Sequence, residues 1–131
     1  MVVSWLIFIA VALLIDAGFV KLAARLLRYS VSWKVSFLFA GIMMVAVIFH
    51  HVLLFSAPVA IRIGLGVVLL LGLVIVGGWF FSGRCANRQN AVLGWSGGIG
   101  LTALTFALMI AVAFAIAVPV QIFFTNSLSA R

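Results

Sequence analysis

Long runs without a charged side chain dominate this sequence. Residues 1–15, 35–61, 63–83 and 89–130 contain no Asp, Glu, Lys or Arg. An α-helix rises about 1.5 Å per residue, so about 20 apolar residues cross a hydrocarbon core of roughly 30 Å. A chain broken into such lengths has few folds open to it. In hydrocarbon every backbone N–H and C=O must be paired internally, which leaves helices or a closed barrel. A barrel alternates apolar and polar residues in segments of about ten. These runs are apolar on all sides, so the expected fold is all-α, with four transmembrane helices in a compact bundle and one membrane domain over 1–131.

The expected spans are about 2–20, 35–55, 59–81 and 96–124. Ser56, Ala57 and Pro58 separate the second from the third, because proline disfavours helix at the residue before it. The polar stretch 82–90 separates the third from the fourth. No turn signal interrupts 99–118, so the last run reads as one long helix with Pro119 as a kink point and 125–131 as a polar tail. The apolar N-terminus lacks the basic start of a secretory signal and reads as a retained first span.

Composition supports the same class. Of 131 residues, 68% are hydrophobic and 7% charged, against about half and about a quarter in soluble domains. The net charge of +7 suggests nucleic acid only if the cations form a surface patch. They do not. Lys21, Arg25, Arg28 and Lys34 fall between the first two spans, and Arg84 and Arg88 between the last two, while Arg62 and Arg131 lie at the other side. No nucleic-acid partner is expected. By the positive-inside rule the side with six cations is cytoplasmic, both termini face outward, and the membrane is a cytoplasmic one. Trp33, Trp79 and Trp95 then mark the inner interface and Trp5 the outer. The six inner cations are candidates for lipid headgroup contact. Lys21, Arg25 and Arg28 share a helical face, so 21–33 is either a short amphipathic helix on the membrane or an extension of the first span.

Few residues can carry chemistry. Asp16 is the only carboxylate. An acid at mid-membrane costs about 2.5–3.5 kcal/mol on insertion scales, which makes it an ion-coupling candidate. The bland expectation is an ion pair with Lys21 or Arg25. His50, His51, Arg62 and Gln121 fall near the outer face and are candidates for a shared lipid, quinone or partner site. Adjacent histidines diverge by about 100° on a helix and cannot hold one metal together, so no metal is expected, and no cofactor beyond a bound lipid or quinone. Cys85 is the only cysteine and reads as an unreactive loop thiol. No phosphate loop, serine elbow or zinc motif occurs, and catalysis is not expected.

The strongest pattern is one of small residues. Ala103, Ala107, Ala111 and Ala115 recur every four positions, with Gly94 and Gly98 before them and a weaker Ala60, Gly64, Gly72 stripe on the third span. Such faces let helix backbones approach closely in lipid. The leading expectation is therefore a non-catalytic structural or accessory subunit of a larger membrane assembly, whose partners are lipids and other integral membrane proteins or itself. The alternative is a small homo-oligomeric transporter with Asp16 as its proton- or cation-coupling group. A weaker one is lipid or quinone binding at the outer face.

Overall fold

The structure, a computed structural model, describes residues 2–129. They form α1 (Val2–Leu26), α2 (Trp33–Leu53), α3 (Val59–Ser82) and α4 (Gly94–Ser129). All four helices are long and apolar enough to cross a membrane, and no strand occurs among the described residues. Arg131, counted above with the outer cations, lies outside the described residues.

Local chemistry sets the helix ends. The first helix outlasts its apolar run and continues through Lys21 and Arg25. It stops where Tyr29 N–H donates to Ala24 C=O (2.8 Å) and Arg28 N–H to Arg25 C=O (3.1 Å). This is a Schellman turn, with Arg28 at φ 60° in the left-handed position glycine usually fills. The segment 21–33 therefore forms no separate interfacial helix. Ser32 caps α2, its hydroxyl accepting from Val35 N–H at 3.3 Å. Pro58 starts α3, where a missing N–H costs nothing.

The expected polar tail after residue 124 is also corrected, since α4 continues through Pro119 to Ser129. Thr125 and Ser127 hydroxyls fold back onto the carbonyls of Gln121 and Phe124, so these polar side chains stay within the helix. At 36 residues α4 is about 54 Å long.

Neighbours in the fold are α1 with α2 and α4, and α3 with α4 and more lightly α2. The packing is confined to one end. Val20, Ala23, Phe39, Phe81 and Leu101 form the core there, and Phe39 sits 4.7 Å from Phe81 and 5.7 Å from Phe80, ring centre to ring centre. At the opposite end residues 2–11 and 110–127 are exposed throughout. The packed end is also the basic end. Its two connections are joined: Ser30 and Ala86 exchange backbone hydrogen bonds (2.8 and 3.2 Å), and Leu93 N–H donates to Cys85 C=O (2.9 Å). Asn87 orders the turn by accepting from Gln89 and Ala91 N–H, and Asn90 adopts φ 58°, a value asparagine tolerates.

Only part of the small-residue pattern packs within the chain. Ala103, Ala107, Ala111 and Ala115 are all exposed. A side chain at Gly64, Gly72 or Gly94 would meet no atom within 4 Å, and Gly94 serves the backbone through its φ of +73°. The α3–α4 contact is made by Gly98 of the expected set, with Ile99 and Thr102, against Gly77 and Gly78. A Cβ on Gly98 would overlap the Gly78 carbonyl, and one on Gly77 the Thr102 side chain. Only backbone on both sides allows this approach. Gly98→Ala is expected to destabilise the protein by about 1–3 kcal/mol through overpacking. Gly100→Ala, with nothing within 4 Å of its new Cβ, should be neutral or mildly stabilising. Thermal unfolding of both variants in detergent checks the contrast.

Candidate functional site

Beyond the packed end the four helices leave a crevice between them. Its volume is about 590 Å³. From α1 it is lined by Trp5, Phe8, Ile9, Ala12 and Asp16, which recur at three- and four-residue intervals and so form one stripe. Met43, Met44, Val47 and Ile48 of α2 face them, with Leu73 of α3 and Phe106 and Met109 of α4 completing the wall. Asp16 is the only charged group in this lining. It marks the floor, because the next residues on the same stripe, Val20 and Ala23, are fully buried in the core.

The expected ion pair of Asp16 with Lys21 or Arg25 is absent. Among the described residues no hydrogen bond or ion pair reaches the Asp16 side chain. Helix geometry gives the reason. At about 100° per residue, Lys21 is about 140° from Asp16 and Arg25 about 180°. Lys21 turns away, donating through Nζ to Val31 C=O and lying 5.4 Å from the Trp33 ring centre. Thr102 and Thr105 of α4 give their hydroxyl hydrogens to Gly98 and Leu101 carbonyls at 2.9 and 2.8 Å. They offer Asp16 nothing.

The remaining inner cations divide into two kinds. Arg84 is held over its own helix end, donating to Phe80 C=O at 3.1 Å and stacking 4.7 Å from the Phe80 ring and 5.5 Å from Trp79. Arg25, Arg28, Lys34 and Arg88 are exposed, and no partner holds their side chains among the described residues.

The outer polar group does not assemble as expected. His50 is half-buried, with Nε2 lacking a hydrogen-bond partner, and packs where Gly66 of α3 leaves room. His51 is exposed, its ring centre 6.3 Å from that of His50. Arg62 donates from Nε to Ala57 C=O at 3.0 Å, closing the turn before its own helix. Gln121 stands exposed on α4, whose backbone does not come close to that of α2. Residue counting had put all four at one height; among the described residues no hydrogen bond joins any one of them to another. No three His, Cys, Asp or Glu side chains come together among the described residues.

Sequence reasoning missed the crevice. Its signal was present in the shared spacing of Trp5, Ile9, Ala12 and Asp16, but an all-round apolar helix does not reveal which face is covered. Comparison with protein families, with characterised proteins and with solved structures found no match to the chain.

Cys85 lies in the joined loops and is 5% exposed. Burial pushes its thiol from 9.0 up to about 11, against the opposing pull of the Arg84 charge. The thiolate is the nucleophile, so N-ethylmaleimide at pH 8 should modify Cys85 slowly in the folded protein and rapidly after denaturation. The unfolded chain releases this proton first. Stability should therefore fall as pH rises from about 9 towards 11, and Cys85→Ser should lessen that fall. Equal maleimide rates in both states would contradict the assignment.

Proposed function

We propose that the four helices cross the membrane as a bundle and that the chain is a small transporter in which Asp16 binds the coupling proton or cation. One observation carries the reading: the only carboxylate in the chain lines an apolar crevice with no counter-cation at hand. An ionisable side chain in a membrane helix is costly to keep and is retained where it meets an ion, a substrate or a partner. Its most ordinary structural explanation was the ion pair with Lys21 or Arg25, and that pair does not form. The distribution of cations supports a topology with the basic end cytoplasmic and both termini outside. Four helices around one acid make a narrow path, which favours a homo-oligomer.

The test uses the full chain in proteoliposomes with a trapped pH-sensitive dye and an imposed acid-inside gradient. Wild-type protein should dissipate the gradient, and Asp16→Asn should fall to the leak of protein-free vesicles. Dicyclohexylcarbodiimide should add one mass adduct that Asp16→Asn lacks, because no other side-chain carboxyl exists. Equal gradient decay in the two proteins removes the transport reading.

A second reading, a non-catalytic subunit of a larger membrane assembly, is favoured by the exposed face of Ala103, Ala107, Ala111 and Ala115. It is a close-approach surface left uncovered by the chain's own helices. Under this reading Ala107→Leu and Ala111→Leu should each strip a stoichiometric partner from protein purified in mild detergent. A wild-type monomer without such a partner counts decisively against it. Recovery of a dimer or tetramer of this chain alone joins the alanine face to the transporter reading instead.

A further inference from the structure

The face of α1 opposite Asp16 holds a second recess. Gly18, Lys21, Leu22 and Arg25 recur at intervals of three, one and three residues, so they lie in one stripe along the helix. With Trp33 at the start of α2 they line a groove of about 330 Å³. Each member contributes a different property.

Lys21 is fixed in place. Its ammonium gives one hydrogen to Val31 C=O and rests 5.4 Å from the Trp33 ring centre, which leaves two of its three N–H groups to donate. Arg25 stands one turn away and exposed, its guanidinium unshared among the described residues. A planar guanidinium fork beside a fixed ammonium matches the oxygens of a phosphodiester. No acid competes for them, since Asp16, the only carboxylate, points from the other side of the helix. Arg84 makes an instructive contrast, because its guanidinium is already bonded to Phe80 C=O and stacked on two rings.

Gly18 supplies the room. A side chain there would meet no atom within 4 Å, so the missing side chain leaves a notch about 4.5 Å deeper along the helix than Lys21. Leu22 (45% exposed), Leu14 (55%) and Ile15 (53%) continue the stripe as an exposed apolar track towards the middle of α1. A charged pair at one end of a groove and an apolar track from the other is the layout of a headgroup and an acyl chain. A free anion would use the charges and leave the track bare.

We propose that this groove binds one anionic phospholipid, its phosphodiester between Lys21 and Arg25 and an acyl chain running over Gly18 and along Leu14 and Ile15. The site stands on the opposite face of α1 from the crevice, and it holds whether or not Asp16 couples transport. Trp33 at the rim places its ring at headgroup level. The exposed cations Arg28, Lys34 and Arg88 at the same end add to the attraction without forming the groove.

Native mass spectrometry on the full chain, released from vesicles of mixed phosphatidylglycerol and phosphatidylcholine, tests the proposal. The wild-type chain should retain one phosphatidylglycerol in preference to phosphatidylcholine. Arg25→Ala should weaken that preference by about fivefold, the effect expected of one cation near an anionic surface. Gly18→Leu fills the notch and keeps both charges, and it should also release the lipid. Arg88→Ala should retain it. The Arg25 side chain makes no hydrogen bond or ion pair among the described residues and a side chain at Gly18 begins in open space, so these variants report on binding even if Lys21→Ala, which frees the Val31 carbonyl, fails to fold. Equal retention of the two lipids, or a phosphatidylglycerol preference untouched by both Arg25→Ala and Gly18→Leu, overturns the site. A soluble anion is the ligand instead if inorganic phosphate displaces the lipid and Gly18→Leu has no effect.

Discussion

Gly98 against the carbonyl of Gly78 is the contact on which the arrangement of the helices depends. In lipid no hydrophobic force draws helices together, and association rests on how closely their surfaces approach. Glycines at 77, 78 and 98 bring the backbones of α3 and α4 together at one level. The joined loops tie α1 and α2 to the same level through Ser30 and Ala86. Nothing comparable exists towards the opposite end, where Gly64 and Gly72 face open space. The helices therefore pack where the small residues and loops coincide and leave a crevice where bulky Phe8, Met44 and Phe106 stand across from one another. The crevice follows from where the glycines are, and Asp16 lies at its floor because the packed zone begins one turn below it.

Helix α1 separates two kinds of chemistry by rotation alone. Its acid lies on the stripe of Trp5, Ile9 and Ala12, and its free cations lie on the stripe of Gly18 and Leu22. Between these stripes it buries Ala17 and Ala24, side chains too small and apolar to carry charge from one side to the other. Five residues separate Asp16 from Lys21, a spacing that reads as neighbourly along the chain and is about 140° apart around it. Opposite charges close in sequence thus remain unneutralised, each turned to a different environment.

The four long apolar helices were legible because length and hydropathy alone decide them, and Pro58 divides the second from the third in both sequence and structure. Less was legible wherever the answer depends on a distant partner. The end of α1 at Leu26, rather than at residue 20, rests on a Schellman turn at an arginine, a position the glycine rule does not predict. The packing face of α4 was read as its alanines together with Gly94 and Gly98, and of these only Gly98 meets another helix of the chain at close range. The face in use, Gly98 with Thr102, is set by Gly77 and Gly78 on another helix, and one helix's pattern cannot rank its faces without its neighbour. For the outer residues His50, His51, Arg62 and Gln121, height along a helix was readable and the partner of each side chain was not.

Most hydroxyl groups among these apolar helices follow one rule. Ser36, Thr102, Thr105, Thr125 and Ser127 each donate to a carbonyl three or four residues earlier, so their hydroxyls are satisfied within the helix that carries them. A hydroxyl can do this because it donates. The half-buried His50 leaves Nε2 without a partner beside Gly66, but an imidazole is neutral in one of its forms and loses only a hydrogen bond. An ionised carboxylate has no donor to give, and the helix presents only carbonyl acceptors to a side chain at mid-length, its N–H groups being spent on the backbone ladder. Asp16 therefore cannot be satisfied by its own helix, and no other helix sends it a donor. Its requirement is left to be met from outside the chain, by a proton, a cation or a partner's side chain, and the proposed coupling role rests on that requirement.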